Sequence, residues 1–188
     1  MTSILCLDPS STACGMAFFP DIDATDPAPG IVHVCRPKPV AAINRINFIV
    51  AAVAAAVSMW NPCVVVMEYS SGKVSRKNRH RHPSGLAVLG QSQGEVRSAL
   101  LGMYPNVREV ETVDESWTRR VPKDERALRI AAEFPIYDEF LRGGMDGSWK
   151  GDPRKKWDGK GLDAGDAIGI GLYWIGRRKE RQLMEAGR

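Results

Sequence analysis

The order of apolar and polar positions puts strands first and helices after. Residues 3–8 (Ser-Ile-Leu-Cys-Leu-Asp) form a short apolar run that ends on a carboxylate, the pattern of a buried strand. Pro9-Ser10-Ser11-Thr12 is turn chemistry. Residues 13–19 read as a second strand, and so short a link makes the pair a hairpin. A polar loop rich in Pro and Asp covers 20–30, and residues 31–35 form a third strand. The period then changes. Ile43, Ile46, Ile49, Val50, Val53 and Val57 recur at three and four, which predicts an amphipathic helix over 41–59, stopped by Asn61-Pro62. Residues 63–68 (Cys-Val-Val-Val-Met-Glu) are continuously apolar and β-branched, as in a central strand covered on both faces, and they too end on an acid. A second helix runs from Ser84, read as its N-cap, to Met103, with Leu86, Leu89, Val96 and Leu100 on its apolar side. Residues 107–113 are a fifth strand. Pro122 opens a short helix through about Ala132. Residues 134–160 read as an irregular insertion, and a last helix runs from near Gly161 to about Arg178. The order β-β-β-α-β-α-β-α-α implies one mixed sheet with helices on its faces.

Composition narrows the class. The 188 residues match one domain at roughly 100–200 residues per domain. With 44% apolar and 26% charged residues, the chain is neither collagen-like nor acidic and disordered. Its four cysteines, Cys6, Cys14, Cys35 and Cys63, form no CxxC pair, and His80-Arg81-His82 has no cysteine nearby. Zinc ligation and a disulfide framework are therefore not expected, and reduced structural thiols are. The N-terminus lacks the basic start and apolar core of a signal peptide. The apolar stretch 48–60 falls short of the roughly 20 residues that span a bilayer. A soluble, cytoplasmic protein is the expectation. The net charge of +4 permits a polyanionic partner without requiring one.

Four acids carry the chemistry. Asp8 ends the first strand and Glu68 the central one. Asp163 and Asp166 stand three apart at the start of the last helix, on one helix face. Sites in α/β sheets form beyond the carboxyl ends of the strands. If the first and fourth strands are parallel neighbours, Asp8 and Glu68 lie side by side there, and a helix packed across them adds the other two. Crowded carboxylates repel unless cations neutralise them, and oxygen-only ligands suit Mg²⁺ or Mn²⁺. Two such ions about 4 Å apart can activate water and stabilise the leaving oxygen in phosphodiester cleavage.

At these residues the sequence resembles the RuvC Holliday junction resolvases of the RNase H-like superfamily. The block Ile4-Leu5-Cys6-Leu7-Asp8-Pro9-Ser10-Ser11-Thr12-Ala13-Cys14-Gly15 is similar to that family's first strand, an apolar run followed by Asp-Pro-Gly-Ser and a later Gly. Val65-Val66-Met67-Glu68 is the second block. Leu89-Gly90-Gln91-Ser92-Gln93-Gly94 resembles the family's Leu-Gly-Gln-Ala-Arg-Gly helix. The block from Gly161 to Ile170, with Asp163-Ala164-Gly165-Asp166-Ala167 at its centre, is similar to its Asp-Ala-Ala-Asp-Ala helix. The blocks keep the family order from residue 4 to about 175.

The resemblance implies an RNase H-like α/β fold: a five-stranded mixed sheet, with a three-strand antiparallel meander plus two parallel strands, flanked by helices. It implies a single nuclease domain over 1–188, with a basic loop at 70–83 and the insertion at about 134–160. It implies a homodimeric, metal-dependent endonuclease that resolves four-way DNA junctions by paired symmetric nicks, using two Mg²⁺ or Mn²⁺ ions per site and leaving 5′-phosphate ends. Asp8, Glu68, Asp163 and Asp166 match the metal-binding acids. Lys123 matches a lysine that assists at the scissile phosphate, with Arg119 or Arg120 as alternatives. The helix at 84–103 is the expected dimer contact, and Gly90 and Gly94 would allow close approach. Three departures stand out. Ser10 replaces the usual Gly, Tyr69 follows Glu68 at once where the bacterial enzymes place an aromatic a few residues later, and both loops look long. They suggest a divergent member, phage-encoded and acting in the cytoplasm of an infected bacterial host.

The remaining candidates are contacts to DNA. Lys73, Arg76, Lys77, Arg79 and Arg81 follow Glu68 closely and would neutralise phosphates. Lys155 and Trp157, among Arg154, Lys156 and Lys160, would pair a cation with a base-stacking ring. Tyr69 is a further aromatic candidate. Two other readings use the same residues: an RNase H-like ribonuclease acting on structured RNA, and a fragment of an actin-like phosphate-binding ATPase, whose first loop also follows an acid ending strand one.

Overall fold

A computed structural model describes residues 1–38, 41–69, 83–103, 109–119, 121–141 and 159–186. The basic-loop candidates Lys73, Arg76, Lys77, Arg79 and Arg81, the insertion candidates Lys155 and Trp157, and Arg120 lie outside the described residues.

The strands form one sheet in the order β3-β2-β1-β4-β5. β1 (Ile4–Pro9), β2 (Cys14–Phe19) and β3 (Ile31–Cys35) make an antiparallel meander. β4 (Val64–Glu68) pairs parallel with β1, and β5 (Glu109–Val113) parallel with β4. This is the mixed sheet, meander plus two parallel strands, that the chain pattern and the resemblance imply. The helices are α1 (Ala42–Trp60), α2 (Pro83–Gly102), α3 (Lys123–Glu133), α4 (Asp138–Leu141) and α5 (Gly159–Ala186).

Successive strand residues point to opposite faces. Ile4, Cys6, Ala17, Phe19, Val64 and Val66 pack on one face with Ala164, Ala167, Ile168, Ile170 and Trp174 of α5. Leu5, Leu7, Met16, Val65 and Met67 pack on the other, with Ile49, Val53 and Val57 of α1 and Val96 and Leu100 of α2. This alternation positions the site. Asp8 continues the Ile4–Cys6 set and Glu68 the Val64–Val66 set, so both acids belong to the face that α5 covers. Small residues let α5 lie close. A Cβ at Gly171 would overlap the Phe19 ring, and one at Gly169 would stand 2.6 Å from the ring of Trp117.

Several boundaries differ from the sequence reading. The segment 134–160 is not irregular throughout: Pro135–Tyr137 is a 3-10 turn and α4 follows, with Leu141 fully buried. Elements of three and four residues are too short to carry a period. A second 3-10 turn, Glu115–Thr118, has no sequence period for the same reason. Pro122 is the cap before α3 and not its first residue; its ψ is 148° and its carbonyl accepts from the Arg126 amide at 3.0 Å. Ser84 stands inside α2, which begins at Pro83. α5 continues to Ala186, its last turns exposed and mostly polar, with no apolar period to extend the reading. α1 has 19 residues and a mean hydropathy of 1.6, long and apolar enough by composition to cross a membrane. Here it packs on the sheet through Ile46, Ile49, Val53, Ala56 and Val57. Ile43, expected on that face, is 49% exposed.

Candidate active site

The first carboxylate is delivered by a braced turn. The Ser10 hydroxyl donates to the Ala13 carbonyl at 2.9 Å and accepts from the Ala13 amide at 3.0 Å. Among the described residues, positive φ outside glycine occurs at Asn61 and Arg119, so the turn holds Ser10 without a glycine conformation. Two helices support it from behind. The buried Ser92 of α2 donates to the Ser10 carbonyl at 2.9 Å, and Arg45 Nε of α1 donates to the Ser11 carbonyl at 3.2 Å. The Ser92-containing block therefore supports the Asp8 turn from inside the fold.

Across the hairpin, Gly15 is the partner of Asp8. α5 crosses here so closely that a Cβ on Gly15 would overlap the Asp163 carbonyl oxygen and lie 2.6 Å from its carbon. That close approach brings Asp163 and Asp166 to the end of β1.

The carboxylates meet around one ammonium. Lys123, the first residue of α3, places Nζ 2.8 Å from Asp166 Oδ2, 2.9 Å from Asp163 Oδ1 and 3.7 Å from Asp8 Oδ2. Burial pushes the Asp8 carboxyl well above the usual carboxylate range; Asp166, Glu68 and Asp163 push it further, against the pull of Lys123. Burial also raises Glu68, with Asp166 adding to it, while a hydrogen bond from Trp117 and the charges of Lys123 and Arg126 oppose it. For Lys123, burial works against the charged form, but Asp8, Asp166 and Asp163 outweigh it and leave the amine above its ordinary value. The four acids expected to act together are thus electrostatic neighbours, and Lys123 is the basic residue among the three aspartates. Arg119, the alternative, is exposed and has a φ of 47°.

Three residues that the sequence reading passed over complete the site. Arg126 donates to Asp166 Oδ1 through Nε at 3.1 Å and Nη2 at 2.7 Å, and to the Val121 carbonyl through Nη1 at 2.6 Å. Trp117 donates from Nε1 to Glu68 Oε2 at 2.6 Å. Arg36, just past β3, donates to Asp163 Oδ2 at 2.8 Å. For Arg126 a signal existed: it follows Lys123 by three on a helix and shares its face. Trp117 and Arg36 come from separate segments, and nothing in the sequence links them to the acids.

A divalent cation fits this donor set by chemistry, since every donor is a hard carboxylate oxygen and the raised acids record a repulsion such a charge would relieve. Among the described residues, no three His, Cys, Asp or Glu side chains form a ready ligand group. The carboxylates as they stand are arranged around Lys123.

Tyr69 is 39% exposed, and its amide donates to the Val113 carbonyl at 2.9 Å. It lines a groove of about 380 Å³ with Glu111, Tyr173, Trp174 and Arg181, beside the carboxylates and not among them. The cysteines are free thiols; Cys6, Cys14 and Cys35 are buried, and burial pushes Cys35 up to about 11. Gly90 and Gly94 face open space within this chain.

Neither a protein-family model nor a curated protein matches the sequence. Solved structures do match in fold. Thermus thermophilus RuvC is 18% identical, with a TM-score of 0.59 over 95% of this chain and 97% of that one. The T. thermophilus RuvC in complex with a Holliday junction substrate is 18% identical, with a TM-score of 0.57 over 94% and 96%. The yeast mitochondrial Holliday junction resolvase is 12% identical, with a TM-score of 0.58 over 100% and 85%. With its meander-plus-parallel sheet and acids at the ends of β1 and β4, the chain has the RNase H-like fold of the RuvC-type resolvases.

Proposed function

We propose that the protein is a metal-dependent endonuclease that resolves four-way DNA junctions. The observation that carries this reading is the gathering of Asp8 from β1 and Asp163 and Asp166 from α5 around Lys123, with Glu68 of β4 in electrostatic contact. A similar fold holding a Holliday junction substrate supports the choice of DNA.

In this reading Asp8, Glu68 and Asp166, with Asp163 assisting, would hold two Mg²⁺ or Mn²⁺ ions, which supply an activated water and stabilise charge on the leaving oxygen. The chain's own residues do the rest. Lys123 carries a flexible ammonium to the phosphate and offsets charge developing there. Arg36 holds Asp163 from the β3 side. Tyr69, exposed one residue past Glu68, meets the DNA next to the cut strand. Lys73, Arg76, Lys77, Arg79 and Arg81, with Lys155 and Trp157, extend the contact along the arms. Two copies joined through α2 would present two sites, which paired nicks require, and water attack would leave 5′-phosphate and 3′-hydroxyl ends.

The test is nicking of a synthetic four-way junction, a duplex, a splayed arm and a structured RNA, with Mg²⁺ and Mn²⁺ in turn. Metal-dependent cleavage of the junction, lost in Asp8→Asn, is the expected result. Equal cleavage by Asp8→Asn, or cleavage of RNA alone, would refute it.

A further inference from the structure

Behind the carboxylates lies a second layer that links two of them. Trp117 is 6% exposed and sits in the turn between β5 and α3. Its indole nitrogen takes up Glu68 Oε2. The Arg126 guanidinium carbon stands 4.9 Å from the centre of the Trp117 ring, while two of its nitrogens hold Asp166 Oδ1. Gly169 of α5 leaves room for the ring. A chain of direct contacts therefore runs Glu68–Trp117–Arg126–Asp166, joining a strand acid to a helix acid. Asp166 keeps Oδ2 turned to the shared centre, where Lys123 meets it. Trp117 engages Glu68 through Oε2.

We propose that Trp117 and Arg126 are positioning residues: they grip Glu68 and Asp166 from behind and fix the orientation of two carboxylates that would hold a divalent cation. This rests on the nuclease reading, because it assigns the carboxylates to a cation. Outer partners of this kind orient metal ligands, and their loss typically weakens metal binding about 10–100-fold. Trp117 suits the task because it offers a single N–H in a fixed plane. Arg126 suits it because its planar fork can bond and stack at once, which a lysine cannot do.

The test uses the full chain without DNA. Trp117→Phe keeps an aromatic ring and removes the N–H; Arg126→Lys keeps the charge and removes the fork. Mn²⁺ binding is read by electron paramagnetic resonance titration, and folding by thermal melts in chelator. Each variant is expected to bind Mn²⁺ about 10–100-fold more weakly. The double variant should lose less than the product of the two single losses, because the two residues touch. A merely structural role would lower the melt and leave Mn²⁺ affinity within about twofold of the parent, and that result in either folded variant overturns the proposal. The two readings fail differently. If the parent chain binds no Mn²⁺, the nuclease reading falls and takes this one with it. If the parent binds and either folded variant matches it, the positioning role alone falls.

Discussion

Gly15→Ala is the substitution that couples fold and site most directly. The added Cβ would overlap the Asp163 carbonyl oxygen and lie 2.6 Å from its carbon, where ordinary contact begins at 3.4 Å. Both obstructing atoms are backbone, so no rotamer change relieves the clash. β2 and α5 must separate by roughly 1 Å, and overpacking of this kind costs about 1–3 kcal/mol. For a chain of this length each kcal/mol lowers the midpoint by about 2–4 °C, so a fall of roughly 2–12 °C is expected. The displacement falls on the site, because Gly15 is the ladder partner of Asp8 and the clash is with Asp163 itself. A misplacement of about 1 Å can cost on the order of 10²-fold in rate. Thermal melts in chelator measure the first effect and junction nicking at saturating metal the second. A variant that melts and cuts like the parent would show that α5 does not cross β2 as described, and the placement of Asp163 and Asp166 would go with it.

Other perturbations test the charges and the outer surface. Asp8→Asn removes a buried charge that burial and its acidic neighbours disfavour, so the metal-free protein should melt higher while metal-dependent stabilisation falls; a lower melt in chelator would contradict the repulsion. For the parent, the folded state binds protons more readily than the unfolded state at Asp8 and Glu68, so its metal-free stability should rise as pH falls from neutral toward the ordinary carboxylate pKa near about 4. Asp8→Asn should flatten that rise, as chemical denaturation across pH would register. Lys123→Ala leaves the acids without their central cation, so it should melt lower in chelator and gain more from Mg²⁺ than the parent does; equal gains would argue that Lys123 and the cation do not share a place. Gly90→Ala meets nothing within 4 Å, and an exposed helical Gly→Ala change should stabilise the chain by about 0.5–1 kcal/mol. If two copies pack closely there, sedimentation would instead report a weakened dimer.

The sheet was legible because its strands announce themselves twice, by apolar runs and by the acids that end two of them. Asp8 and Glu68 come together because β1 and β4 are parallel neighbours, and the alternation of Ile4, Cys6 and Asp8 gives the face. Asp163 and Asp166 were legible from helical spacing. The cations were less so. Lys123 emerged through resemblance, whereas Arg36 reaches Asp163 across 127 residues of sequence, a contact no local pattern encodes. Trp117 stands in a polar stretch, and its meaning lies in a single N–H aimed at Glu68. The short 3-10 turn that aims it has no period to detect.

The arrangement also explains how such a cluster of acids can fold. Four carboxylates crowded at a sheet end would drive the elements apart, yet here they are offset in large part by three cations of different anchoring. Arg126 is locked: its side chain is 15% exposed, it bonds the Val121 carbonyl, and it lies against the Trp117 ring. Lys123 is held by ion pairs and a hydrogen bond to carboxylates only, is 37% exposed, and sits on a long flexible stem. Arg36 stands at the rim, 38% exposed, on the outer oxygen of Asp163. On the proposed metal-dependent reading, a divalent ion entering this centre would compete with the lysine and not with the arginine, because only the lysine could leave without breaking a backbone contact and a stack. Three cations thus offset most of the charge of four carboxylates as the chain closes, and on the metal-dependent reading the unequal anchoring of Lys123 and Arg126 would decide which carboxylate oxygens an ion could reach.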